Sequence, residues 1–285
     1  MNLIIDIGGT HIRFSIGEIL FKEKHNFNSL EDILYTIENF IKSLERNEKE
    51  ILNIIIGLPG IIDNNISYND SNLKYLYKNN LPKKIMNYKT NFYNDGDLSV
   101  LGEINYNKLD KNKRIISLLF GTGVGCGLWI NDLVINSEAN LIFEEYLGGK
   151  NIENKLNKNK KENNFIIEND EDNSWLDWYY DKEDYLYNNE TNNKNIHKES
   201  IIYQNDEYDI KKNIILNNKN KYIKDLENLI ELLNIDILII NGFINNYEEM
   251  KININQLKIN NYYKNKLEII YSNCKEPVLE GGRYI

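Results

Sequence analysis

The first part of the chain alternates between apolar runs and glycine turns. Residues 2–6 form a mainly apolar, β-branched run, and Gly8-Gly9-Thr10 turns the chain. Residues 11–19 then alternate, with Ile12, Phe14 and Ile16 on one face, and Gly17 follows. That pattern predicts two strands joined by a tight glycine turn. From 29 to 46 the period lengthens. Ser29 followed by Glu31 and Asp32 is a helix start, and Ile33, Ile37, Phe40, Ile41 and Leu44 fall at helical spacing. Residues 51–57 read as a buried strand that ends at Leu58-Pro59-Gly60, and 97–106 as a short helix. A second module starts near Lys113. Residues 114–120 predict a strand closed by Gly121-Thr122-Gly123, and 126–136 give strand material broken at Asn131-Asp132. Residues 140–148 look helical. A helix over 219–233 carries Ile223, Leu226, Leu229, Ile230 and Leu233 on one face and leads into a buried strand, Ile235–Ile240, then Asn241-Gly242.

The order strand, glycine turn, strand, helix, strand occurs in both halves. It predicts an α/β chain of two related lobes, residues 1–112 and 113–285. Residues 151–206 stand apart, rich in Asn, Lys, Glu and Asp, with Trp175, Trp178, Tyr179 and Tyr180 in the middle. They read either as a short helix that docks elsewhere or as a poorly ordered insertion with one sticky turn.

Composition narrows the function. With 285 residues, 41% of them hydrophobic, the chain can bury a sizeable core. Its net charge of -9 argues against a nucleic-acid backbone or an anionic membrane as the main partner. It does not argue against ATP, since local amides and Mg²⁺ can overcome a negative global field. Cys126 and Cys274 make neither a disulfide framework nor a zinc site. No apolar run reaches about 18 residues, and the start of the chain reads as a buried strand rather than a signal peptide. The expected location is the cytoplasm.

Two glycine clusters carry the chemistry. In Asp6-Ile7-Gly8-Gly9-Thr10, paired glycines after a strand let the backbone approach an anion, and Thr10 adds a hydroxyl donor. Asp6 can hold a hydrated Mg²⁺. In Gly121-Thr122-Gly123-Val124-Gly125-Cys126-Gly127, alternating glycines after a strand offer a second phosphate cradle, although the pattern is neither a P-loop nor a dinucleotide fingerprint. Asn94-Asp95-Gly96-Asp97 reads in isolation as a turn. Asp95 is also a carboxylate able to accept a proton from a sugar hydroxyl during phosphoryl transfer.

Paired glycine hairpins resemble the phosphate loops of the actin, Hsp70 and hexokinase superfamily. The specific resemblance is to the ROK (repressor, open reading frame, kinase) sugar kinases. Asp6 to Arg13 fits their Asp-x-Gly-Gly-Thr-x-x-Arg, and Gly121 to Gly127 fits their Gly-Thr-Gly-x-Gly-x-Gly. Gly57 to Asp63 resembles their Pro-Gly-x-x-Asp loop, Ser71-Asn72-Leu73 the sugar-side segment, and Asn94-Asp95 with Leu101-Gly102-Glu103 the catalytic segment. Ile239 to Phe243 resembles the turn that packs on the adenosine, with Asn241 in place of one glycine. The resemblance implies a two-lobed actin-like ATPase (ribonuclease H-like) fold with the site in the interlobe cleft. It implies ATP and Mg²⁺ at Asp6, Gly8, Gly9, Thr10, Gly121, Thr122, Gly123 and Gly242. It implies a hexose or N-acetylhexosamine near Gly60, Asn72, Asn94 and Glu144, with Asp95 as general base and a homodimer as the assembly.

The pattern also departs from that family. Its Gly-Glu-x-Gly-His motif and cysteine-rich zinc loop have no counterpart, and no histidine lies between His25 and His197. Zinc is not expected. Glu144, Tyr146 and Gly149 match the segment that follows, and Glu138 stands loosely for the glutamate of the lost motif. Losing one buried hydrogen-bond partner costs about 1–3 kcal/mol, so weak or altered sugar preference is expected. Two further readings follow, a sugar-sensing or scaffold protein with little turnover and an actin-like ATPase. Glu280-Gly281-Gly282 suggests a last helix that is truncated or missing.

Overall fold

The computed structural model describes residues 1–46, 50–68, 73–135, 141–162 and 208–285. The expectations at Asn72, at Glu138 and for the aromatic cluster at 175–180 lie outside them.

The first sheet is built by the leading apolar runs. Strands β1 (Leu3–Ile7) and β2 (His11–Ile16) form the expected glycine hairpin, with Asp6 opposite Arg13 and Ile7 opposite Ile12. A strand absent from the sequence reading, β3 (Ile19–Lys24), continues the hairpin around Gly17, whose φ is 59°. On the other side β1 pairs in parallel with β4 (Asn53–Leu58), and β4 with β9 (Tyr88–Asn94). A short strand β8 (Lys84–Ile85) completes the order β3-β2-β1-β4-β9-β8. Helix α1 (Leu30–Arg46) covers one face, and its buried stripe is Ile33, Ile37, Ile41 and Leu44. Ser29 caps it by accepting the N–H of Asp32 at 3.1 Å. Strands β5 (Ile61–Asp63), β6 (Ile66–Tyr68) and β7 (Asn79–Asn80) form a small separate sheet.

The second sheet has the order β12-β11-β10-β13-β14. Strand β10 (Ile115–Phe120) lies between antiparallel β11 (Val124–Ile130) and parallel β13 (Ile237–Gly242). Strand β14 (Glu268–Tyr271) follows β13, and β12 (Leu133–Ile135) folds back on β11. The expected break at Asn131-Asp132 is that hairpin turn. Both residues have positive φ, 52° and 61°, which suits the twist of the flanking strands. The strand after the glycine turn starts at Val124, two residues before the expected 126. Gly125 and Gly127 belong to β11, and only 121–123 turn the chain.

Helices α3 (Leu141–Leu147), α4 (Gly149–Glu162), α5 (residues 208–216) and α6 (Lys219–Leu233) pack beside the second sheet. Residues 151–162, read as the start of an insertion, are helical. Ile152 and Leu156, one turn apart, are buried with 2% and 1% of their surface exposed.

Two helices occupy the space between the sheets. Helix α2 (Asp95–Tyr106) begins two residues before its expected start, since Asn94 caps it by accepting the N–H of Asp97 at 3.0 Å. It packs Val100 and Ile104 against Ile115, Trp129, Ile237 and Ile239 of the second sheet, and Leu98 against Ile55 of the first. After the short helix α7 (Asn261–Lys264) comes α8 (Pro277–Gly282). The expectation at 280–282 is corrected, because the glycines end a helix that begins at a proline in its first turn. A Cβ at Gly102 would stand 2.0 Å from the Pro277 carbonyl oxygen, and one at Gly281 1.9 Å from that of Leu98. Only glycines allow α2 and α8 to cross backbone to backbone.

Candidate functional site

The carboxyl ends of parallel strands collect chemistry in α/β sheets, because loops and helix starts converge there. In the first sheet, Asp6 lies opposite Gly57, Gly57 opposite Tyr93 and Leu58 opposite Asn94. Asp6, the Gly57–Gly60 loop and Asn94-Asp95 therefore share one edge. Asn94 binds them further. Its Nδ2 donates to the Gly60 carbonyl at 2.7 Å while its Oδ1 caps α2. Gly60 has φ of 86°, a conformation that favours glycine.

Asp6 is buried, with 6% of its surface exposed. Arg13 from the facing strand donates through Nη1 to Asp6 Oδ2 at 2.7 Å and reaches Glu276 Oε2 through Nε at 3.3 Å. Burial raises the Asp6 carboxyl above its ordinary range, and the guanidinium opposes the rise.

Asp95 opens α2. Its Oδ1 accepts the N–H of Gly96 at 2.8 Å. Burial first, then the neighbouring Asp6 charge, pushes its carboxyl up to about 7. Asp97, two residues on, is pushed up to about 6 by burial. Gly96 has no room for a side chain, since a Cβ there would lie 2.3 Å from the Cys126 carbonyl oxygen. The start of α2 thus rests on β11 just beyond the second glycine turn. Asp95 lies near Asp6 of the first-sheet edge, and its neighbour Gly96 lies against Cys126, past the second turn.

Both glycine turns are closed by the protein's own hydrogen bonds. In the first, Gly8 N–H donates to His11 O at 2.9 Å, and His25 donates its Nε2–H to Gly8 O at 2.8 Å and its backbone N–H to Thr10 O at 3.1 Å. In the second, Gly121 N–H donates to Gly123 O at 2.9 Å. The first amides of α4 hold this turn from outside, Gly149 N–H on Gly121 O at 3.0 Å and Lys150 N–H on Thr122 O at 2.8 Å. Among the described residues no protein acceptor takes the N–H groups of Gly9 and Thr10 in the first turn, or of Thr122 and Gly123 in the second. Each turn keeps a consecutive pair of amides available to an anion.

Gly242 lies opposite Phe120 at the end of β13, beside the second turn, with φ of 91°. The Asn241 that stands in place of a glycine has a structural task. Its Nδ2 donates to Glu103 Oε1 at 2.5 Å and to Cys274 O at 2.8 Å, and its Oδ1 accepts the Gly242 N–H at 2.6 Å. Asn107 donates to the other Glu103 oxygen at 2.8 Å. Glu144 sits at the second glycine turn. Its carboxylate lies against Gly123 and accepts the N–H of Val124.

Sequence reasoning missed His25, Glu276 and Lys150. His25 carries no motif, and its imidazole contacts Gly8 only because β3 returns alongside β2. Glu276 precedes the proline that opens α8, which was not expected as a helix. Among the described residues no group of three or more His, Cys, Asp or Glu side chains is arranged to hold a metal ion. No helix among them is long and apolar enough to cross a membrane.

Residues 2–139 match the family model described as "ROK family". A xylose repressor from Caldicellulosiruptor bescii is 29% identical over 162 residues, which cover 49% of this chain and 39% of the repressor. The chain thus matches about two fifths of that relative's length. A ROK family glucokinase from Streptomyces griseus, solved with glucose and AMPPNP, superposes with a TM-score of 0.69 at 14% identity, over 98% of this chain and 97% of that one. A ROK family transcriptional regulator, a homologue of the E. coli MLC protein, superposes with a TM-score of 0.62 at 13% identity, over 98% and 76%. Residues 2–139 thus resemble the ROK family, and the chain carries the mixed α/β, actin-like fold found in solved ROK sugar kinases.

Proposed function

We propose that this protein transfers the γ-phosphoryl group of ATP to a hydroxyl of a hexose or N-acetylhexosamine, with Asp95 as general base. The observation that supports the reading is the position of Asp95 at the start of α2, near Asp6 and followed by Gly96, which lies against the strand that leaves the second glycine turn. The amide pairs of the two glycine turns would cradle the phosphates, and the hydroxyl would lie against Asp95. Asp95 accepts the hydroxyl proton as the sugar oxygen bonds to the γ-phosphorus and the bond to the β-γ bridging oxygen breaks, leaving ADP. A base with a pKa near the working pH suits that task. Bound Mg²⁺ would neutralise charge on the phosphates, with Asp6 its carboxylate contact through water. Asn94 and the Gly60 carbonyl would orient the sugar.

A coupled ADP-release assay over glucose, mannose, fructose, N-acetylglucosamine and N-acetylmannosamine tests this. Sugar-stimulated ADP formation is expected, and Asp95→Asn should lower it by about 10²–10⁴-fold. A second reading is a sugar sensor without turnover, favoured by the similarity to a xylose repressor and to a transcriptional regulator. Sugar binding in calorimetry with no ADP formed from any sugar would choose the sensor. Hydrolysis of ATP indifferent to every sugar would remove both.

A further inference from the structure

We infer that His25 is a positioning residue for the first glycine turn, aiming the Gly9 amide at a phosphate of the nucleotide without touching that phosphate itself. That role rests on the reading of 8–10 as a phosphate cradle. His25 follows directly on β3 and grips the turn twice. Its backbone N–H donates to Thr10 O at 3.1 Å, and its imidazole Nε2–H donates to Gly8 O at 2.8 Å. The second contact sets the direction of a neighbouring group. Gly8 C=O and Gly9 N–H share one planar trans peptide, so they point to opposite sides of it. A carbonyl held toward His25 therefore turns the Gly9 amide away from His25, where no protein acceptor among the described residues meets it. With glycine on both sides of this peptide, little else in the local backbone resists its rotation. The ring is itself held in place. It stacks on Phe27 with centroids 4.1 Å apart and planes 9° from parallel. Its Nδ1 accepts the Phe27 N–H at a longer 3.4 Å. A carbonyl partner demands a proton on Nε2 and an amide partner demands a lone pair on Nδ1, so the two contacts select one neutral tautomer. Burial pulls the imidazole's pKa below its ordinary value, which favours that neutral form, while the Gly8 contact and the Glu23 charge oppose the shift. Both ring nitrogens are engaged with backbone, and neither is left for a ligand.

Two amide side chains of different length test the contact. A glutamine nitrogen can take the place of Nε2 and donate to Gly8 O, whereas the shorter asparagine falls short of it. His25→Ala and His25→Asn should weaken MgAMPPNP binding, measured by calorimetry on the full chain, about fivefold to tenfold, and raise the KM for ATP by a similar factor. His25→Gln should recover most of both losses. The KM for the preferred sugar should stay unchanged throughout. Nitrogen NMR of the parent imidazole should show a protonated Nε2 and a bare Nδ1. Equal MgAMPPNP binding by His25→Asn and His25→Gln overturns the inference, and so does an imidazole protonated on Nδ1 alone. A rise in the sugar KM that matches the rise for ATP also overturns it, since damage shared by both substrates is damage to the fold. Each of those outcomes leaves the kinase reading standing. A parent chain that neither binds MgAMPPNP nor forms ADP with any sugar removes that reading and the role of His25 together.

Discussion

Asp6, buried, and Asp95, half-buried, are neighbouring carboxyl groups, and Arg13 separates their behaviour. The guanidinium bonds to Asp6, so the repulsion between the acids falls mainly on Asp95. The folded chain therefore keeps the Asp95 proton to about pH 7, whereas an unperturbed Asp loses it near 3.8. Between those values the folded state binds more protons than the unfolded state, and stability falls as pH rises through that window. Asp95→Asn removes the penalty. The variant should melt above the parent at pH 8 and with it near pH 4, in thermal scans at both values. Activity of the parent should rise through pH 7 to a plateau. Arg13 gives the opposite test. Arg13→Met leaves the Asp6 charge buried without its partner and should cost about 3–5 kcal/mol in denaturant unfolding. Adding Asp6→Asn should return part of that loss, as expected for coupled neighbours.

Among the elements, the crossing of α2 and α8 is held by absence of side chains. Alanine ordinarily favours a helix interior over glycine by about 1 kcal/mol. At Gly102 and Gly281 that preference is overruled by carbonyl oxygens 2.0 and 1.9 Å from the Cβ positions. Gly102→Ala and Gly281→Ala should each destabilise by about 1–3 kcal/mol or more, measured by urea unfolding. Gly121→Ala, with nothing within 4 Å of its Cβ position, should leave stability unchanged. The same elements show what a sequence can reveal. Helix α6 was legible from 219 to 233 because its apolar residues keep one face, and α1 because Ser29 and Asp32 signal its start. The start of α2 was not, since the Asn and Asp that cap helices also make turns. The start of β11 at Val124, two residues before the expected strand, was hidden for a related reason. A Cβ at Gly127 would meet Gly96 O at 2.1 Å, so the strand is glycine-rich to admit a helix, which no local pattern announces. Strands β7 and β8, of two residues each, are too short to display a period.

At the scale of the whole molecule, the Glu103–Asn241 pair joins α2 to the end of the second sheet and to Cys274 before α8. Glu103 is fully buried, and burial raises its carboxyl above the usual range while Ser272, Asn241 and Asn107 oppose the rise. Asn241→Ala would strand one carboxylate oxygen and free the Gly242 amide. A loss of about 1–3 kcal/mol is expected, together with weaker MgAMPPNP binding, while Asn241→Asp would add a second acid and should do worse. Calorimetry and unfolding on the same samples would check both. Finally, a Cβ at Gly282 would touch Ile4 at 2.5 Å, and Arg283 donates to Ser15 Oγ at 3.2 Å and to Gly17 O at 3.3 Å. Strand β1 is thus roofed by a segment far from it in sequence. A fragment stopped at Asn112 keeps the strands of the first sheet and loses that roof. That fragment should aggregate and be cut faster by proteases than the full chain, in limited proteolysis of the two side by side.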